Sequence, residues 1–178
     1  IELRKYDFRG NLKRRLVERI GENGRAYAFI DAMYEYVLPY TSEFGCLING
    51  DLAIPNVLTD GTVLDFEKAC IGNPVIDAAT TLEDPKNGEA DRQRIFRESY
   101  LDEVKGTERD FLEESYKPVS AFVSACQIGS KLNQGQTERA RGFLRQFMEK
   151  SSAKARDSFV KYVRSAETER AKEIQACL

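Results

Sequence analysis

Three oxygen-bearing side chains, Asp51, Asn56 and Asp65, stand in an order that can do chemistry. Asp60-Gly61 separates two β-prone triplets, Val57-Leu58-Thr59 and Thr62-Val63-Leu64, and reads as a two-residue hairpin turn. In that register Asn56 faces Asp65, and directly opposed residues on antiparallel strands have Cβ atoms roughly 4.5–5.5 Å apart. The hairpin mouth is therefore expected to present an amide oxygen beside a carboxylate. Two such hard oxygen donors suit Mg²⁺, which is commonly held by one or two protein groups together with substrate phosphates. Asp51 lies at the far end of a loop that Pro55 stiffens, from where it can turn toward the same mouth and accept a proton. Phosphoryl transfer needs these parts: one Asp to orient the attacking hydroxyl, and an Asn and a second Asp to hold the metal on the phosphates.

The rest of the composition narrows the chemistry. The 178 residues contain no histidine, which removes Ser-His-Asp catalysis and histidine metal ligands from this chain. With 42% hydrophobic and 31% charged residues and a formal net charge of −2, the chain reads as a globular domain with no whole-chain field to attract nucleic acid. No apolar run approaches the roughly 18 residues of a membrane span, and Ile1 to Lys5 lack the apolar stretch of a signal peptide. Cys46, Cys70, Cys126 and Cys177 show no metal-binding spacing and read as reduced, mostly buried thiols. The expected location is the cytoplasm, with neither nucleic acid nor membrane as a partner.

Helical spacing surrounds the loop and hairpin. Leu12, Leu16, Val17 and Ile20 form one apolar stripe that stops at Gly21, and Tyr27, Ile30, Met33, Tyr34 and Val37 form another before Pro39. Cys46-Leu47-Ile48 is a short apolar run leading into the loop. Asn73-Pro74 reads as a helix start, an N-cap and then proline at the first helical position, opening a helix that runs to about Leu82. Helices are expected over 91–104, 107–117, 118–132 and 137–177, the last with a break near Ser151-Ser152. Phe143, Leu144, Phe147, Phe159, Val163 and Ile174 should pack it onto the rest of the chain. Tyr100, Tyr116 and Phe122 read as core rather than as a pocket wall. The acidic pairs Glu83-Asp84, Asp102-Glu103 and Glu113-Glu114 read as a solvated face rather than as a receptor for a cationic ligand.

Gly50-Asp51, Pro55-Asn56, Asp65-Phe66-Glu67, Ile71-Gly72-Asn73-Pro74 and Asp77 resemble the H-G-D-x-x-x-x-N, I-D-F-E and G-D-P-x-x-D blocks of the aminoglycoside phosphotransferase and choline kinase-like family. The resemblance is close over about residues 25–85, and beyond that only the run of helices is similar. It implies an α+β, mostly α fold: the C-terminal lobe of a protein-kinase-like structure, spanning residues 1–178, with a small β-hairpin at the catalytic loop and a helical C-terminal region. It implies an ATP-dependent phosphotransferase acting on a small-molecule hydroxyl, with Mg²⁺ and with ATP as cosubstrate. Asp51 would be the catalytic base, and Asn56 and Asp65 the Mg²⁺ and nucleotide ligands. Asn49, Asp77 and Glu67 would support them, Asp77 from beneath the catalytic loop and Glu67 near the metal.

The sequence departs from that pattern at three points. Asn49 stands where the family has histidine, Asn73 stands where it has aspartate, and no glycine-rich phosphate loop or strand lysine precedes the catalytic loop. The chain is thus expected to lack the N-terminal nucleotide lobe, to need it as a partner, and by itself to bind ATP weakly. A start at Ile1 fits a piece of something longer. The alternative reading is a degenerate kinase-fold binding or regulatory module without phosphoryl transfer.

Overall fold

The computed structural model describes residues 4–41, 45–50, 52, 62–83, 85, 89–96, 98, 101–102 and 104–178. Among the described residues the fold is mostly helical with one small antiparallel sheet, α+β in class. The first apolar stripe forms a continuous helical rod: α1 (Phe8–Leu12), a π-helical turn over Lys13–Val17, and α2 (Glu18–Ile20). Asp7 caps it, its carboxylate accepting the Gly10 N–H at 2.8 Å. Gly21, at φ 130°, ends it as the sequence suggests. The second stripe is α3 (Gly24–Val37), capped by the Asn23 side chain.

Strand β1 (Cys46–Ile48) pairs antiparallel with β2 (Cys70–Gly72), Leu47 opposite Ile71. The segment Arg4–Tyr6 adds to the outer side of β2 through the pairs Tyr6 N–H to Ile71 O and Ile71 N–H to Arg4 O, each 2.8 Å. Strand β2 was not among the sequence expectations; three residues are too few for an alternation pattern. The hairpin turn at Asp60-Gly61 falls outside the described residues.

Then come α4 (Val75–Leu82), α5 (Glu89–Phe96), α6 (Gly106–Asn133), α7 (Thr137–Lys150), α8 (Ala153–Ser165) and α9 (Glu169–Gln175). Two expected boundaries are corrected. Pro118 does not end a helix but lies inside α6, where burial among Ser115, Tyr116 and Val119 outweighs the hydrogen bond that proline forfeits. The expected terminal helix is three helices, broken at the foreseen Ser151-Ser152 and again at Ala166–Thr168, where the Ser152 and Thr168 side chains cap α8 and α9.

The core is one contiguous cluster. Phe29, Phe147 and Phe159 meet edge to face or tilted at 4.8–6.0 Å between ring centres. Phe143, Leu144, Val163 and Ile174 are buried as expected, and so are Tyr116 and Phe122. At Gly129 the rod and α6 approach so closely that a Cβ would lie 2.3 Å from Arg15 O. Glu83 is a correction: it is fully buried, not on a solvated face. Its carboxylate accepts two bonds of 2.7 Å from Lys150 Nζ and one of 2.7 Å from the Tyr116 hydroxyl, which joins the end of α4 to α6 and α7. Of the four cysteines, all free, Cys70 and Cys126 are buried but Cys46 and Cys177 are exposed.

The end of the rod is fastened by the C-terminal helices. Ile20 O accepts the Thr168 hydroxyl, Arg19 O the Arg170 guanidinium at 3.1 Å, and Gly21 O the Tyr162 hydroxyl at 3.0 Å. Carbonyls at a helix C-terminus have no partner within the helix, and here distant side chains satisfy them. Among the described residues no helix is long and apolar enough to cross a membrane.

Candidate active site

The site is built outward from α4. Asn73 starts that helix, its side-chain oxygen accepting the Val75 N–H at 2.8 Å, and this places Asp77 in the first turn. A carboxylate there is favoured by the helix dipole. Asp77 is 9% exposed and points at the loop after β1, where its two oxygens take successive backbone donors: the Asn49 N–H at 2.7 Å and the Gly50 N–H at 2.9 Å. One turn further along α4, the Thr81 hydroxyl donates to Leu52 O at 2.9 Å. The residues on either side of Asp51 are thus both tied to one helix.

Gly50 is required at its position on two counts. Its φ is +79°, and a Cβ would lie 2.8 Å from Lys68 O. This contact brings the loop after β1 against the turn that follows Asp65.

Asp65 is the sole non-glycine residue with positive φ among those described, at 60°. Aspartate tolerates this left-handed conformation better than most residues, but such backbone strain still costs on the order of 1–3 kcal/mol and is characteristic of functional sites. The surroundings hold it there: the buried Asn49 amide donates to Asp65 O at 2.9 Å and to Leu64 O at 3.4 Å. A single residue therefore couples the two loops, its backbone bound to Asp77 and its side chain to Asp65.

Of the residues singled out in the sequence, Asn49, Asp65 and Asp77 are brought together. Glu67 stands in the turn beyond Asp65, exposed, beside Gly50 on the wall of a cavity. Asp51 and Asn56 fall outside the described residues. Thr81 went unnoticed in the sequence, although its place four residues after Asp77, on the same helix face, was a usable signal. Two nearby apolar side chains, Leu47 and Phe66, are more than half exposed. Beneath the site, burial pushes the Cys70 thiol up from its ordinary value and the Asp77 carboxylate adds to the shift. Among the described residues no three Cys, Asp or Glu side chains cluster at metal-binding distance. Asp65 is an exposed hard-oxygen donor of the type Mg²⁺ takes.

Residues 3–116, more than half of the chain, match the model of the phosphotransferase enzyme family. The chain belongs to that family. The matched stretch of this phosphotransferase family member holds the whole site from Asn49 to Asp77 and ends at Tyr116, inside α6. No curated protein and no solved structure matches the chain.

Proposed function

We propose that this chain carries the catalytic loop of an ATP- and Mg²⁺-dependent phosphotransferase that acts on the hydroxyl of a small molecule. Asp51 takes the hydroxyl's proton, and its flanks, Gly50 and Leu52, are held by Asp77 and Thr81. Asp65, with Asn56, holds Mg²⁺, which supplies charge neutralisation on the transferring phosphate. Asn49 fixes the Asp65 backbone, and Glu67 lies near the metal. The α- and β-phosphates are gripped by a nucleotide lobe outside residues 1–178. Free cysteines and the phosphate cosubstrate suit a cytoplasmic enzyme.

The observation that carries this reading is the strained Asp65 held by the same residue, Asn49, that Asp77 fastens to α4. The order of Asp51, Asn56 and Asp65 in a member of this family supports these roles. The test is Mg²⁺-dependent ATP consumption by the longest natural polypeptide that contains this chain, over a panel of small hydroxyl compounds, beside its Asp51→Asn variant. Turnover that depends on an acceptor and is lost in the variant, with nucleotide binding retained, is the expected result. A fully active Asp51→Asn variant refutes it.

Asn49 also favours a second reading, a binding module without transfer, because an amide cannot become the cation that histidine can. Ligand binding with no turnover across the panel would select it.

A further inference from the structure

A cavity of about 550 Å³ opens between the segment Arg4–Asp7, the helical rod, and the loops at Gly50 and Glu67–Cys70. Its volume falls in the range of roughly 300–1,000 Å³ typical of small-molecule sites. Six cationic side chains line it: Arg4, Lys5, Arg14, Arg15, Arg19 and Lys68. Among the described residues two acids oppose them. Asp7 is engaged with the Gly10 N–H and with Arg14 at 3.8 Å, and Glu67 stands on the rim by the site.

In a chain whose formal net charge is −2, this is a strong local excess of positive charge. Like charges gathered on one concave wall repel one another, more so where the wall lowers the local dielectric, and an anion relieves the repulsion. The Nε of Arg19, a residue of the cleft wall, is buried without a hydrogen-bond partner. Arginine's planar fork matches phosphate and carboxylate oxygens. The wall would repel a cationic aminosugar and has little to offer an apolar ligand.

We propose that this cleft binds the phosphate or carboxylate group of a small hydroxylated molecule, and that the acceptor of the phosphotransferase is therefore anionic. The position supports it: Gly50 directly precedes Asp51, and Glu67 follows Asp65 by two residues, so a molecule anchored in the cleft extends toward the loop that carries the chemistry. The word acceptor rests on the function proposed above; the anion site does not.

The test begins with inorganic phosphate and acetate, each titrated into the full chain at physiological ionic strength and followed by NMR. Saturable binding is expected for at least one, weakened about tenfold or more by Arg19→Gln and by the exposed pair Arg4→Gln/Lys5→Gln, the size of effect that loss of a charge-assisted hydrogen bond gives. The exposed Arg164→Gln, outside the cleft lining, should leave it unchanged. The Arg4/Lys5 pair keeps the test open should Arg19→Gln fail to fold. No saturable binding of either anion, or binding that the cleft variants do not alter, overturns the proposal. Preference between the probes separates a phosphate from a carboxylate ligand.

A third arm uses ATP and the acceptor panel with the longest natural polypeptide. If ATP displaces the anion and an anionic acceptor does not, the cleft belongs to the nucleotide and the acceptor assignment fails. Anion binding at the cleft with no phosphoryl transfer to any acceptor leaves the site standing and removes the enzymatic reading. Transfer to neutral or cationic acceptors without anion binding does the reverse.

Discussion

Asp77→Asn tests the scaffold of the site without touching any group proposed to react. In the native chain each carboxylate oxygen takes one backbone donor, at 2.7 and 2.9 Å, in a setting only 9% exposed. An asparagine keeps one acceptor and turns its own N–H₂ toward the second N–H. The retained bond falls from a charge-assisted one, worth ~1.5–3 kcal/mol, to a neutral one of ~0.5–1.5, and leaving the other N–H buried and unpaired costs ~1–3 more. Together they come to about 3 kcal/mol. For a domain of this length that lowers the melting temperature by about 6–12 °C, at ~2–4 °C per kcal/mol.

Thermal and urea unfolding measure the loss, and an unchanged urea dependence would show that only stability has moved. A second readout is independent of stability. With the Asp77 charge gone, the Cys70 thiol should ionise at lower pH, followed by thiolate absorbance in a background where Cys46 and Cys177 are serine and the buried Cys126 is alanine. If Asp77→Asn unfolds within about 1 kcal/mol of the native chain, in a scale where one buried donor alone costs ~1–3, then Asp77 does not hold the loop and the reasoning fails.

Other perturbations probe the rest of the structure. Lys150→Met strands the buried Glu83 carboxylate and should cost ~3–5 kcal/mol in urea unfolding, most of it recovered by adding Glu83→Gln; an unaffected single variant would refute the clamp. Asp65→Gly relaxes the left-handed backbone and should raise stability by ~1 kcal/mol and, on the function proposed above, abolish turnover in the longest natural polypeptide; a destabilised variant would mean that the φ of 60° carries no strain. Stability should also fall as solution becomes alkaline. Burial raises Cys70 above its ordinary 9.0 and Tyr36 and Tyr162 above 10.0, so between those values and the folded ones the unfolded chain has released protons that the folded chain keeps. The contribution is complete below about pH 9 and is lost as pH rises through the folded values, which melting curves across that range would record.

Local signals in the sequence picked out Asn49, Asp65 and Asp77, but distant contacts decided how they are held. Asn73-Pro74 announced α4, and so the height at which Asp77 meets the loop, because capping chemistry is a property of adjacent residues. Asn49 was legible as a departure from a pattern; that its amide spans to Asp65 O was not, since the bond joins loops sixteen residues apart. Glu83 looked like one more surface acid because its partner, Lys150, lies sixty-seven residues away. Pro118 misled for the opposite reason: a strong local breaker was overruled by burial on α6. The basic cleft went unseen because it is assembled from four stretches, and Arg14, Arg15 and Arg19 taken alone look like the solvated side of an amphipathic helix.

The carbonyls at the end of the helical rod have a consequence for what can be inherited and what must be kept. Tyr162, Thr168 and Arg170, which satisfy them, and Lys150, which neutralises Glu83, all lie after residue 116, where the family match stops. A fragment trimmed at that point would sever α6 in mid-helix and leave Arg19 on a fraying end, with the cleft it lines. The stretch that ancestry makes recognisable is therefore shorter than the stretch that must fold together, and grafting this site into another protein would require the C-terminal helices to travel with it.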